Sequence, residues 1–97
     1  MTHAAHIRLT GHIDVPEPRR AAIAAALPEH IRLTRAEPGC LAFEVRPDPA
    51  MPGRYTVAEL FASRAAFEAH QARVAASDWG RISAGLPRSY TIDEVPA

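Results

Sequence analysis

Neither lysine nor asparagine occurs anywhere in the chain, and cysteine and tryptophan occur once each. No apolar run is long enough to span a bilayer. All fixed positive side-chain charge is therefore carried by eleven arginines, which eleven acidic residues balance to a formal net charge of zero, with no block of like charge. Lacking a basic stripe, the chain has no electrostatic footprint for nucleic acid. The lone Cys40 can close no internal disulfide and reads as a small buried hydrophobe, in keeping with a reducing compartment. The N-terminal segment alternates apolar and polar residues and has no charged stretch followed by an apolar block, so it reads as a strand and not as a targeting peptide. A cytoplasmic protein with no membrane or nucleic-acid partner is expected. What is present is 97 residues, 47% of them apolar, enough for one modest core and too few for two. A single domain over residues 1–97 is expected.

Ile7, Leu9, Gly11, Ile13 and Val15 occupy every second position between His6, Arg8, Thr10, His12 and Asp14, the period of a strand. Pro16 and Pro18 end it and open a helix, where proline loses only an N–H that would be unpaired anyway. From Arg19 to Arg35 the residues Ile23, Leu27 and Ile31 form an amphipathic stripe, with Ala26, His30 and Thr34 at its edge. Pro28 inside that stretch predicts a kink or break near Ala24 to Leu27. Glu37-Pro38-Gly39 then stops the helix. Leu41, Phe43 and Val45 alternate with Cys40, Ala42 and Glu44 in a second strand, and the proline-rich segment 47–53 is a loop. Tyr55, Val57, Glu59 and Phe61 share one face of a third strand. Ser63 caps a helix through Ala75, and Ser77 or Asp78 caps a short one carrying Trp79, Ile82 and Leu86, which Pro87 closes. Tyr90, Ile92 and Glu94 alternate in a last strand. The order β-α-β-β-α-β predicts an α+β, ferredoxin-like fold, a four-stranded antiparallel sheet with helices on one face. The other face carries Cys40, Ala42, Ala58 and Leu60 among Arg8, Thr10, His12 and Glu44, and a homodimer that packs two such faces together is expected.

His70 is related to Phe67 and Val74 by helical spacing, so its imidazole projects from the stripe that must be buried on the sheet. Imidazole exchanges a proton near neutral pH and can serve as a general base; a structural histidine bonded to a carbonyl is the alternative. Glu68 and Arg73 flank it but are expected to point elsewhere. His30 can line the same cleft or stand exposed. A metal held by His30 and His70 is not expected, because no acidic or histidine side chain lies three or four residues from His70. Glu59, the only charge on its strand face, needs a partner when buried, and Arg35 or His70 can supply one, in an orienting role or a structural ion pair. Phe61 and Trp79 can wall a pocket for a planar ligand or simply fill the core. His3, His6 and His12 default to solvent or to a dimer interface.

The segments HIRLTRAEPGCLAFEVRPDP, YTVAELFASRAAFEAHQARVAASDWG and RSYTI together resemble the antibiotic-biosynthesis-monooxygenase family of the dimeric α/β-barrel superfamily, over nearly the whole chain. The most specific parts are the junction from Glu37 to Val45, the strand with Glu59, and AFEAHQ, which places His70 at the family's recurrent helix histidine. The resemblance implies a ferredoxin-like subunit, dimerised through its sheets, with a cavity between helices and sheet. Family activities divide into cofactor-free oxygenation of phenols and quinols, heme degradation and isomerisation of small sugar-like signals. The heme-degrading branch pairs a helix asparagine with a tryptophan and a histidine, and this chain has no asparagine. An isomerase acting on a phosphorylated signal wants a cationic cluster or a glycine-rich anion loop, and neither is seen. The quinol branch is left: a small aromatic substrate and molecular oxygen as partners, no cofactor, and His70 as base. Glu59 then orients it, Phe61 and Trp79 form walls, and His30 or Arg35 stabilises developing oxyanion charge. The alternatives are a non-catalytic dimeric barrel that binds a small apolar ligand, or an isomerase.

Overall fold

The computed structural model describes residues 5–97, so His3 lies outside the described residues. Strand β1 runs Ala5–Asp14, followed by a 3-10 turn Glu17–Arg19 and helix α1 Arg20–Arg35; β2 is Cys40–Pro47, β3 Arg54–Phe61, α2 Arg64–Ala75, α3 Asp78–Ile82 and β4 Arg88–Pro96. The four strands form one antiparallel sheet in the order β2-β3-β1-β4. This is the ferredoxin-like arrangement, with three helices, counting the short α3, on one face. No helix among the described residues is long and apolar enough to cross a membrane.

Local chemistry accounts for the element ends. Ser63 accepts a hydrogen bond from the Ala66 amide at the start of α2, and Ser77 accepts one from Gly80 at the start of α3, each satisfying an orphan donor. Alternation on β1 and β3 buries Ile7, Leu9, Ile13, Val57 and Phe61 under the helices. From the helix side Ile23, Leu27 and Phe67 meet them, and each such burial contributes roughly 1.5–3 kcal/mol.

Three expectations need correction. Helix α1 runs unbroken through Pro28; both Pro28 and Ala24, whose carbonyl loses its helical partner, are exposed, so water can take over that hydrogen bond. His30 is not at the edge of the α1 stripe but within it, because the buried set is Ile23, Leu27, His30 and Thr34, while Ile31 is only half-buried. On β2 the pairing register shifts between Cys40 and Ala42, so Cys40 pairs with Phe61 on the helix side and packs against the core, and Leu41 is left 51% exposed. Alternation alone places these two residues on the opposite faces.

The α1–β2 turn decides where the site forms. Gly39 has φ +85°, a left-handed conformation, and a Cβ built there would stand 2.7 Å from the Cβ of Ala66 on α2. Only glycine lets this turn pass so close beneath α2. Gly39→Ala combines a backbone cost of about 1–2 kcal/mol with that overlap. We expect a loss of roughly 2 kcal/mol or more, a fall in Tm on the order of 10 °C by scanning calorimetry.

Candidate active site

The turn held by Gly39 brings Glu37 under α2, where it meets His70. The imidazole is 3% exposed, and its Nδ1 lies 2.9 and 3.0 Å from the two carboxylate oxygens of Glu37. A carboxylate accepts and does not donate, so Nδ1 carries the proton, and in the neutral ring Nε2 presents its lone pair on the other side. Arg73, three residues along the same helix, donates from Nε to Glu37 at 2.6 Å and from its terminal nitrogen to the Thr34 hydroxyl at 3.0 Å. Contrary to the expectation that Arg73 points elsewhere, it shares Glu37 with His70. Glu37, legible in the sequence only as part of a helix stop and a family-like junction, is the functional residue that the sequence reading leaves out of the site.

On its other side His70 Nε2 faces Glu59 Oε1 at 3.7 Å, too long for a hydrogen bond. That oxygen has no hydrogen-bond partner among the described residues. Burial first, and the charge of Glu37 second, push the Glu59 carboxyl up to about 7. His30 lies across from this pair, its ring centroid 6.4 Å from that of His70 and its buried Nδ1 also without a partner. Burial, followed by the electrostatic influence of His70 and Arg73, lowers its pKa to about 4, so His30 is neutral at physiological pH.

Between sheet and helices lies a cavity of about 310 Å³, and Glu59, His70 and His30 all reach it. Leu9, Ile13 and Val57 form its floor, Phe43 and Trp79 supply aromatic walls, and Arg88 and Tyr90 of β4 line it as well. The Trp79 indole is stacked on His30, centroids 4.6 Å apart and planes 6° from parallel. This pair also borders an outer groove of about 460 Å³ between α1 and α3. Such a cavity suits a flat ligand with polar groups. No set of three or more His, Cys, Asp or Glu side chains is grouped to hold a metal ion among the described residues.

Two expected site residues lie elsewhere. Phe61 is fully buried behind His70, with ring centroids 4.8 Å apart, so it backs the imidazole and does not form a wall; Phe43 takes the wall position because the β2 register turns it inward. Arg35 donates to the Phe43 carbonyl and lies 3.4 Å from Glu44, away from the cavity. Its guanidinium is drawn to a half-exposed carboxylate on the neighbouring strand, so His70 alone of the two expected partners approaches Glu59.

The family model described as antibiotic biosynthesis monooxygenase matches residues 6–81. Among solved structures, a conserved protein of Bacteroides thetaiotaomicron, described as a possible oxidoreductase, is 22% identical, with a TM-score of 0.79 over 94% of this chain and 98% of that one. A protein of Shewanella oneidensis is 26% identical, with a TM-score of 0.71 over 97% and 92%. A candidate antibiotic biosynthesis monooxygenase of Caulobacter crescentus is 22% identical, with a TM-score of 0.69 over 98% and 92%. Among curated proteins none matches the chain.

The two shifted groups act on stability in opposite senses. Glu59, raised in the folded state, contributes stability that is complete below pH 4.5 and is lost as pH climbs through about 7. His30, lowered in the folded state, contributes stability that is complete above pH 6.5 and is lost as pH falls through about 4. Each is worth on the order of 3 kcal/mol. Urea unfolding across pH 4 to 7.5 should find the two slopes largely cancelling between pH 4.5 and 6.5. Glu59→Gln should leave a stability that rises with pH, and His30→Phe one that falls.

Proposed function

Because the chain belongs to the antibiotic biosynthesis monooxygenase family, we propose that it is a cofactor-independent monooxygenase of a small hydroquinone or polyphenol, with His70 as the general base. The observation that carries this reading is the line Glu37–His70–Glu59, which ends at an aromatic-walled cavity. An oxygen about 2.8 Å from both His70 Nε2 and Glu59 Oε1 sits at the apex of a triangle on their 3.7 Å separation. A substrate hydroxyl placed there donates to Nε2 and accepts from the protonated Glu59 carboxyl. As its proton passes to Nε2, Glu37 stabilises the imidazolium and Glu59 stabilises the phenolate. The roles are thus divided: Glu37 orients His70, and Glu59 acts as a hydrogen-bond donor.

The ionised, electron-rich ring is its own reductant. It passes one electron to O2, and the superoxide and ring radical combine to form a carbon–oxygen bond at a ring carbon. Proton transfer gives a hydroperoxide; loss of the proton on that carbon to the base breaks the O–O bond and releases water. Hydroquinone plus O2 becomes hydroxyquinone plus water, with no external electron donor. Phe43 and Trp79 hold the ring flat while this happens.

We also infer that the protein works as a homodimer packed through the open face of the sheet. Leu41, exposed by the register shift, extends the apolar patch formed with Ala42, Ala58 and Leu60. Sedimentation should give twice the chain mass, and Leu60→Arg should shift it to monomer; a wild type sedimenting at 10.5 kDa would rule the dimer out.

Oxygen uptake with benzo- and naphthohydroquinones, measured against a protein-free autoxidation blank, tests the reaction. Wild type should exceed the blank, and His70→Ala should lose turnover by roughly 100-fold or more while remaining folded by circular dichroism. Wild-type turnover should decline as pH rises through about 7 and Glu59 ionises, and Glu59→Gln, which keeps an N–H donor at every pH, should flatten that limb. Rates equal to the blank across the panel would instead favour a ligand-binding or isomerase role.

A further inference from the structure

Eight of the eleven arginines lie within ion-pair distance of a carboxylate. Arg88 has no such partner among the described residues, and it is the only arginine that lines the cavity. One of its terminal nitrogens donates to the Ser83 carbonyl at 3.0 Å and to the Ser83 hydroxyl at 2.9 Å. Ser83, 1% exposed, sits at the C-terminal end of α3. The guanidinium is therefore fixed in place on one side and keeps donors for something else, with no protein anion to neutralise it.

We propose that the substrate of this cavity carries a carboxylate as well as an ionisable hydroxyl, and that Arg88 receives the carboxylate. This rests on reading the cavity as an aromatic-substrate site. A guanidinium pairs with a carboxylate in a planar, two-point geometry, which sets orientation as well as affinity. The distances suit it. Glu59 stands opposite Leu9 on β1, and Arg88 stands opposite Ile13. Four residues along the strands and two strand spacings across separate their Cα atoms by roughly 16 Å, at ~3.3 Å per residue and ~4.8 Å per strand. Strand side chains stand roughly perpendicular to the sheet, so most of that separation is kept between the carboxyl and the guanidinium, room for one or two fused rings with a hydrogen-bonding group at each end. The hydroxyl then lies at the His70–Glu59 end and the acid at the β4 end, and the ring passes beside Phe43 and Trp79. The reverse orientation would take the carboxylate away from Arg88 and set it near the ionised Glu37, whose like charge opposes it.

The test compares two probes that are not hydroquinones: 6-hydroxy-2-naphthoate, with hydroxyl and carboxylate at opposite ends, and 2-naphthol, which lacks the acid. Calorimetric titration of the full chain should give at least tenfold tighter binding of the hydroxynaphthoate, a preference that weakens as salt is added. Arg88→Gln should bring the two affinities within about twofold, and Arg88→Lys should restore part of the difference. These are readings that a merely structural Arg88 would not change. Equal wild-type affinities, or a preference that survives Arg88→Gln, would overturn the carboxylate assignment and leave the aromatic cavity standing. Failure of both probes to bind wild type would overturn both readings.

Discussion

The buried contact between Glu37 and His70 is the constraint on which the rest of the site depends. It joins the turn after α1 to the middle of α2 across 33 residues of sequence, at 2.9 Å, with both groups almost removed from water. Removing one member of such a pair leaves the other buried without a partner, typically a loss of 3–5 kcal/mol. Arg73 supplies the compensating charge and ties the same carboxylate to Thr34 at the end of α1. A structural ion pair would need no more. Here the second nitrogen of the imidazole is left facing a cavity, and that difference turns a tether into a candidate catalytic group.

Once Glu37 fixes the proton on Nδ1, the chemistry of the neighbouring groups follows from burial. A carboxyl at Glu59 can be held neutral only because the sheet and Phe61 exclude water from one side and Glu37 opposes a second negative charge from the other. His30 is held neutral for the mirror-image reason, with desolvation and the electrostatic influence of His70 and Arg73 acting together. The site therefore carries a carboxyl held protonated and an imidazole lone pair, 3.7 Å apart, and a second imidazole that does not compete for the proton. Groups with environments that drive their affinities for protons apart are the ordinary means of assigning acid and base roles in a small cavity.

Much of this is legible in the sequence. Period-two alternation located the strands, Ser63 and Ser77 gave the helix starts, and helical spacing put His70 on the buried face. What escaped had physical reasons. Glu37 belongs to a turn, where no periodicity reports direction, and its contact spans two elements. Arg73 is three residues beyond His70 and so shares its face; spacing alone contained that information, but the side chain's length disguises which end is buried. A single shift of register on β2 exchanged the faces of Cys40 and Leu41, a change that no alternation pattern can announce. Phe61 and Phe43 are both buried on the helix side, and only their placement relative to His70 decides which one reaches the cavity.

Sheet coverage explains why the cavity opens where it does. The helices lie over β2, β3 and β1, while β4 keeps Tyr90 and Ile92 exposed, 38% and 48%, although their register places them on the helix side. Tyr90 stands opposite Gly11, where an added Cβ would run into the backbone of Ser89, so glycine is what lets β1 and β4 pair this closely. The cavity is most open along β4, and its polar groups run from Arg88 and Tyr90 at the rim past His30 to Glu59 and His70 at the interior end. Two of the interior atoms, Glu59 Oε1 and His30 Nδ1, are buried without hydrogen-bond partners among the described residues. Such atoms are costly unless they are paired. The proposed hydroxy acid would pair Glu59 Oε1 and the Arg88 guanidinium together, so the features that make this interior expensive for the folded chain would make it selective for such a ligand.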